Sequence, residues 1–453
     1  MNEPDPGTNP AKKRILLISC FYYPQNRIPV LRIGQWAKYW ASQGHSVTVL
    51  TTRKYDFMGP FGLDSAVPHD VEVIEVPFLP YMLEHYLPKQ ESQKRNGAHY
   101  SGAPPRRLKL AFLKSRIRLL RAHIGSMLDI HDLWVAPAVK AGLSLIAANR
   151  YDAIVSSYSP PAVHVVASRL KRQHPELLWF ADFRDLWVNN HITAARGLFK
   201  KLEIAKERRT LSGLADGLVA VSTPHAQDLK SRYPALPVWV VENGFDPDEF
   251  PEWISRVTAV PKLTHGITIC YAGTLYRKRR DPTPLFNALN ELIDKGLISA
   301  SQVSIEFYGD NQRELREIIQ RTDSNRHNII KVMGFVSRNE SLAAQKRSNL
   351  LLFLESGAGD ARGMLTGKVF EYLVSGIPVL ALGIDNSSSA GELLERTGTG
   401  ICASTTDELK SIFLAAFEFG RFSFYQPDIV QISGYSRDKQ AKFIIDRLTE
   451  ARS

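Results

Sequence analysis

The chain has 453 residues, 44% hydrophobic and 23% charged, a balance that excludes extensive disorder at a length greater than one compact domain usually holds. Lys and Arg number 57 against 46 Asp and Glu, a formal net charge of +11, which implies anionic partners and leaves nucleic acid, phospholipid headgroups and phosphorylated small molecules open. The three cysteines, Cys20, Cys270 and Cys402, lie in or beside apolar runs without metal or disulfide spacing, and read as buried, reduced core residues.

From the amino terminus, Met1–Lys13 is polar and rich in Pro and Gly, and the apolar run Ile15–Phe21 leads into Tyr-Tyr-Pro-Gln without a small-residue cleavage site. A secretory signal is therefore not expected, and the expected compartment is cytoplasmic. No apolar stretch is expected to approach the roughly 18–20 residues of a membrane span. The longest, Tyr372–Ile384, is broken by Ser375, Gly376 and Pro378.

Short apolar runs alternate with helical patterns along the whole chain, which predicts α/β architecture with parallel sheets covered by helices. One series comprises Arg14–Cys20, Ser46–Thr51, Val71–Pro77, Asp152–Ser156, Leu177–Asp182, Gly217–Val221 and Val238–Val241. A second comprises Ile267–Gly273, Val303–Tyr308, Ile329–Met333, Leu350–Leu354 and Pro378–Leu382. Between them Asn243–His265, with Pro247, Pro251 and Pro261 and no sustained apolar period, reads as a connection. The expected division is 1–250, 251–435 and a closing helix in 436–453 that opens on Ser436 and carries Ala441, Ile444, Ile445 and Leu448 at helical spacing.

Within the first series, residues 92–128 contain no acidic side chain, while Leu110, Leu113, Ile117, Leu120, Ile124 and Met127 recur at helical spacing with Lys114, Arg118 and Arg121 off the stripe. Such a basic amphipathic helix suits either an anionic membrane surface, through residues 106–128, or packing on the core with its cations solvated.

Ligands of open parallel sheets bind beyond the carboxyl ends of the strands. The loop after the first strand, Phe21–Arg32, has no glycine, which disfavours a dinucleotide there. After the fifth strand, Asp182-Phe183-Arg184-Asp185 groups two carboxylates and a guanidinium; it can bind hydroxyls or form an internal ion pair. In the second series Gly273 and Thr274 precede Arg277, Lys278, Arg279 and Arg280, a cationic run suited to a diphosphate or to a solvated surface. Further on, Thr366-Gly367-Lys368 opens a helix whose buried face is Phe370, Leu373 and Val374, with Lys368, Glu371 and Ser375 opposite. Thr366 can cap it, Lys368 and the Gly367 and Lys368 amides can meet phosphate, and Glu371 can accept from ribose hydroxyls or pair with Lys368. Ser389 with Glu392 matches a capping box, and Ser159-Pro160-Pro161 a cap with Pro at the first helical position.

Several further segments carry a resemblance when read in order. They are Ser156–Pro161, Asp182–Trp187, Ala215-Asp216 through Val221-Ser222, Glu242–Asp246, Tyr271–Tyr276, Arg280-Asp281-Pro282, Gly334-Phe335-Val336 and Thr366–Leu373 with Gly376-Ile377-Pro378. Together they resemble the family-4 glycosyltransferases of the GT-B fold, in the bacterial surface-polysaccharide branch.

The resemblance implies two Rossmann-like domains with parallel sheets facing across an interdomain cleft. It implies a retaining, metal-independent glycosyl transfer, without cofactor, from a nucleoside-diphosphate sugar in the C-terminal domain to an acceptor hydroxyl held by the N-terminal domain. Glu371 falls on the family's ribose-binding Glu, and Lys368 and Arg279 on diphosphate positions. Asp182, Arg184 and Asp185 fall on the acceptor-side catalytic loop, and Gly273, Thr274, Arg280, Thr366 and Gly367 on the donor site. Gly363 stands where the family often has a second Glu. The expected acceptor is a glycan or a polyprenyl-diphosphate-linked glycan in polysaccharide or glycoconjugate biosynthesis, reached at the inner face of the cell membrane; no nucleic-acid partner is expected. The rival readings are a sugar-nucleotide epimerase on the same fold and a non-enzymatic protein that binds anionic surfaces.

Overall fold

The computed structural model describes residues 12–25, 28–55, 68–79, 82, 125–127, 129–190, 195–275, 280–309, 312–355, 365 and 367–451. Expectations for 106–124 fall outside the described residues, as do those for Arg277, Lys278, Arg279, Gly363 and Thr366. The chain forms two units, Met1–Val241 with Gln440–Ser453, and Glu242–Lys439.

Each unit is built on a wholly parallel sheet. The first has seven strands: β1 Arg14–Ile18, β2 Ser46–Thr52, β3 Val71–Val76, β4 Ala153–Tyr158, β5 Leu178–Phe183, β6 Gly217–Ala220 and β7 Val238–Val240. Their order is β3-β2-β1-β4-β5-β6-β7. The second has β8 Ile267–Ala272, β9 Val303–Tyr308, β10 Ile330–Gly334, β11 Leu350–Leu354, β12 Val379–Leu382 and β13 Gly400–Ala403, in the order β10-β9-β8-β11-β12-β13. The sequence reading lacks β13, four residues of which three are half-buried, too short and too little apolar to register as a run. Central strands such as β4 and β11 are buried at every position, because helices cover both faces.

In the first unit the alternating sides of the sheet feed two apolar clusters. Trp179, Ala181 and Phe183 of β5 pack with Trp134, Val163, Val166 and Leu170. Phe180 packs on the other face with Ile33, Trp36 and Trp40 of the helix Ile28–Ser42. The closing helix Arg437–Glu450 adds Ala441, Ile444, Ile445 and Leu448 to that second cluster, and Trp40 Nε1 donates to the Ala441 carbonyl at 2.8 Å. In the second unit the segment expected as a connection contributes Phe245, Phe250, Trp253 and Val257 to the core. Its aromatic side chains anchor it where its backbone lacks a regular period, and the change of unit falls at Val241/Glu242 rather than near residue 250.

One described stretch, Gly125–Ala148, does have the length and composition of a membrane span, contrary to expectation. It consists of two 3-10 turns, Gly125–Met127 and Ile130–Trp134, and the helix Val135–Ala148. Val135, Ala138 and Gly142 form its buried face, and Gly142 sits so close to Leu170 that a Cβ there would lie 2.8 Å from Leu170 Cδ1; a core helix meets the same compositional test. Two expected caps also move. The helix Ala162–Gln173 has Pro161 as its N-cap with no side-chain cap, since Val163 and His164 donate to the Pro160 and Pro161 carbonyls. The helix Ser389–Thr397 is capped by Ser388, whose Oγ accepts from Gly391 N at 3.1 Å; the one-residue shift puts Gly391, not Glu392, at the box position.

A buried ion pair joins the first sheet to its covering helix. Because side chains alternate along β5, Asp182 shares the face of Phe180 and points toward the helix Ile28–Ser42. There Arg32 Nη2 and Nε donate to its two oxygens at 2.7 and 3.1 Å, and Ser157 Oγ of the adjacent strand donates at 2.7 Å. Neither Arg32 nor Asp182 is exposed, and the guanidinium lies 4.4 Å from the Trp36 ring centroid. Arg32→Ala strands a buried carboxylate and is expected to lower the unfolding free energy by about 3–5 kcal/mol. Asp182→Ala should cost a similar amount and the double variant less than the sum, as read by chemical denaturation; additive losses would show that the two charges do not act as a pair.

Candidate active site

In both sheets the strand order reverses once, between β1 and β4 and between β8 and β11, and the crevice beyond such a reversal is where open parallel sheets bind ligands. In the second unit the residues that emerge there are Gly273 and Thr274 after β8 and Glu355 after β11. The helix Gly367–Leu373 lies beside them.

Lys368, on the first turn of that helix, extends its ammonium to 5.6 Å from the Tyr271 ring centroid. It lies so close over Gly273 that a Cβ there would stand 2.2 Å from Nζ. Tyr271 Oη donates to the Thr274 carbonyl at 2.9 Å, and Arg280 Nη1 donates to the same oxygen at 3.0 Å. Arg280 Nη2 holds Glu355 at 3.1 and 3.3 Å. Two cations, Lys368 and the Glu355-bound Arg280, thus stand at the mouth of the sheet. Burial, and next the neighbouring Arg280 charge, push the Lys368 ammonium down to about 8, with Glu371 and Glu355 opposing. Such a lysine lacks enough negative charge nearby until an anion arrives.

Glu371, one turn further, pairs with Arg338 at 3.0 Å rather than with Lys368. Arg338 also holds Glu249 at 3.0 Å, whose carboxyl is raised by burial with Arg338 opposing. Arg338 therefore orients Glu371 from the side. The helix buries Val369, Phe370, Tyr372 and Leu373. Ser375, expected beside Glu371, is instead buried, donating to the Tyr372 carbonyl at 2.8 Å and accepting from Ile377 N at 3.1 Å; it closes the helix. Glu355 and Arg338 were not singled out from the sequence. Glu355 is the first residue after a fully apolar strand, which is a positional signal, whereas Arg338 follows the Ser337 cap and looks like an ordinary helix start.

A cavity of about 550 Å³ opens beside Arg280, walled by Leu275, Asp281, Arg313, Glu317 and Arg321. Lys368 does not line it, and its Arg313–Glu317 pair is solvent-exposed. The more enclosed charges therefore lie on the Lys368 side, where Arg280, Glu355 and Lys368 are half-buried.

In the first unit the structure places Asp182 inside the sheet, engaged by Arg32 and Ser157, so it supports the rim rather than forming it. Arg184 and Asp185 are half-buried at the carboxyl end of β5. Arg184 Nε donates to the Tyr158 carbonyl at 3.0 Å, and burial lowers its guanidinium with Asp185 and Asp182 opposing. The rim also carries a pair the sequence reading did not identify: His131 Nδ1 lies 2.5 Å from Asp129 Oδ1. Its imidazole packs with Phe21 and Phe78 at 5.9 and 5.7 Å. After β1, Tyr22 and Tyr23 are buried where a nucleotide-binding turn would need glycine. Among the described residues no three His, Cys, Asp or Glu side chains group closely enough to hold a metal ion.

Two doubly wound parallel sheets, one with a half-buried cationic cluster at its switch point, have the architecture of the GT-B fold. Residues 32–249, a little under half of the chain, match the family model Glycosyltransferase Family 4. Among solved structures it is similar to the lipopolysaccharide outer core galactosyltransferase WaaB in its apo form, at 12% identity over 95% of this chain and 99% of that one, TM-score 0.52. It is likewise similar to the E. coli trehalose-6-phosphate protein bound with UDP-2-fluoro glucose, at 12% identity over 96% and 99%, TM-score 0.56. The UDP-forming α,α-trehalose-phosphate synthase of Burkholderia xenovorans matches at 12% identity over 98% and 100%, TM-score 0.55. At these identities the likeness is one of fold. No curated protein matches the sequence.

Two measurements probe the pocket. A bound diphosphate raises the Lys368 pKa above its value of about 8 in the free protein, so binding takes up a proton above that pH. Donor affinity is then full below about pH 8 and falls as pH rises through it. Calorimetric titrations in buffers of different ionisation enthalpy should record that uptake, and pH-independent affinity would remove Lys368 from the phosphate site. Gly273→Ala forces the mobile Nζ aside without backbone strain, so it should weaken donor binding about tenfold, worth roughly 1.4 kcal/mol, with the melting temperature nearly unchanged. A large loss of stability with intact affinity would contradict this.

Proposed function

We propose that the chain transfers a sugar, with retention and without a metal ion, from a nucleoside-diphosphate sugar held in the second unit to an acceptor hydroxyl held by the first. The observation that carries this is the half-buried Lys368 ammonium over Gly273, with the Glu355-bound Arg280 beside it, at the switch point of β8 and β11. As the bond from the anomeric carbon to the diphosphate breaks, charge accumulates on the leaving oxygens, and these fixed cations stabilise it. The acceptor oxygen forms its bond to the same face of that carbon, and its proton passes to the departing diphosphate. No protein nucleophile is required.

Glu371, oriented by Arg338, accepts hydrogen bonds from the ribose, while Arg184 and Asp185 line the acceptor side and Asp182 holds that loop in place through Arg32. Arg279 and Thr366 complete the proposed donor contacts. The neighbour bound with UDP-2-fluoro glucose makes a uridine diphosphate the first donor to try, and the neighbour named as a lipopolysaccharide outer core galactosyltransferase fits a glycan acceptor in polysaccharide or glycoconjugate biosynthesis. A polyprenyl-diphosphate-linked acceptor would place the enzyme on the cytoplasmic face of the cell membrane, in keeping with the acid-free stretch 92–128.

Thermal unfolding in the presence of UDP, GDP, ADP, CMP or dTDP tests this, because a ligand bound only by the folded chain raises its apparent stability. One diphosphate should raise the midpoint selectively. Glu371→Gln should weaken that ligand by about 1.5–3 kcal/mol; a folded Glu371→Gln chain that binds it unchanged would return Glu371 to an ordinary ion-pair role.

A further inference from the structure

The helix Gly197–Leu211 is turned inside out. An ordinary surface helix buries apolar side chains and exposes charged ones, but here both carboxylates are buried, Glu203 at 1% and Glu207 at 0% exposure. They bond to neighbouring chain. Glu203 accepts from Ser126 N at 2.8 Å, and Glu207 accepts from Val188 N at 2.9 Å and Tyr233 Oη at 2.8 Å while pairing with Arg232. The outward face instead carries Leu198 at 69% exposure, Leu202 at 41% and Ile204 at 39%. Around them Arg196, Lys200, Lys201, Arg208 and Arg209 are exposed, and none of the five is paired with a carboxylate among the described residues. The exposed surface of this helix and its Arg196 N-cap therefore has five cations, three large apolar side chains and no exposed carboxylate, Lys200 lying at its margin near Glu203.

We propose that this face docks on an anionic lipid surface, Leu198 and Leu202 entering the headgroup region while the five cations meet phosphate groups. The proposal deepens the membrane-linked acceptor reading above by assigning the contact to a particular helix. Three observations favour lipid over other occupants. Charge complementarity excludes a second copy of the same face, which would set five cations against five. Nucleic acid offers phosphates but no apolar layer for Leu198 and Leu202 to enter. Finally, the helix is joined to the end of the acid-free stretch 92–128, since Ser126 N donates to Glu203 and Lys206 Nζ donates to the Met127 carbonyl at 2.9 Å. Long Lys and Arg side chains can lay their stems along apolar surface while their charges reach headgroups.

Partition of the full chain between buffer and vesicles tests this without any turnover, so its failure is separable from failure of the transferase reading. The wild-type chain should bind phosphatidylcholine vesicles that contain phosphatidylglycerol, release as salt rises, and leave pure phosphatidylcholine vesicles unbound. Lys200→Gln/Lys201→Gln/Arg208→Gln/Arg209→Gln should cut partition by roughly fivefold per cation. Leu198→Ser/Leu202→Ser should cut it about tenfold or more, and both variants should melt and bind nucleotide as the wild type does. Three outcomes would overturn the proposal: no vesicle binding by the wild type, with or without capture by tRNA; binding unchanged in both variants; or a loss confined to Arg116→Gln/Arg118→Gln/Arg121→Gln.

Discussion

Every strand among the described residues pairs in parallel, and much of the molecule's chemistry follows from that constraint. Parallel neighbours cannot be joined by a tight turn, so each connection must cross a face of the sheet, and the carboxyl ends of all strands gather along one edge. Where the strand order reverses, the two flanking connections leave in opposite directions and a crevice is left between them. The sequence places small or polar groups there in the second unit: Gly273 and Thr274 after β8, and Glu355 after β11. In the first unit it places bulky ones, and buried Tyr22 and Tyr23 follow β1. One architecture thus yields a cationic cluster in one unit and an aromatic rim in the other.

The electrostatics of the two units differ in kind. Arg32 and Asp182 are matched one to one, sealed from solvent and further satisfied by Ser157, an arrangement that fixes geometry and leaves no residual charge. Lys368 and Arg280 lie close together, Arg280 paired with Glu355 and Glu371 paired with Arg338, and Lys368 has no direct ion pair of its own among the described residues. Partial burial weakens solvent screening of the ammonium and, together with the Arg280 charge, disfavours its charged form.

How much of this could be read from the residues depended on whether the signal was local. Twelve of the thirteen strands stood out as short apolar runs bounded by turn residues, and β13 failed only because four residues, three of them half-buried, make no run. Lys368 and Glu371 could be placed near each other on one helix because they lie one turn apart. Asp182 was misplaced at the rim because its partner, Arg32, lies 150 positions away in sequence, and alternation along a strand does not reveal which face meets a guanidinium. Arg338 was missed for the same reason, as its two carboxylates come from other segments. The unusual orientation of Gly197–Leu211 was likewise invisible: its apolar residues suggest a core face until the burial of Glu203 and Glu207 shows which side faces inward.

The closing helix gives the order of synthesis a structural meaning. The chain leaves the first unit at Val241, builds the whole of the second, and supplies Ala441, Ile444, Ile445 and Leu448 to the first only at the end. Until then Trp36 and Trp40 on the nascent helix Ile28–Ser42 lack their cover, and Trp40 lacks the carbonyl of Ala441. A growing polypeptide must therefore carry an open apolar face throughout the translation of its second half, and a message cut short before codon 440 would yield a transferase half whose exposed tryptophans invite chaperones and proteases.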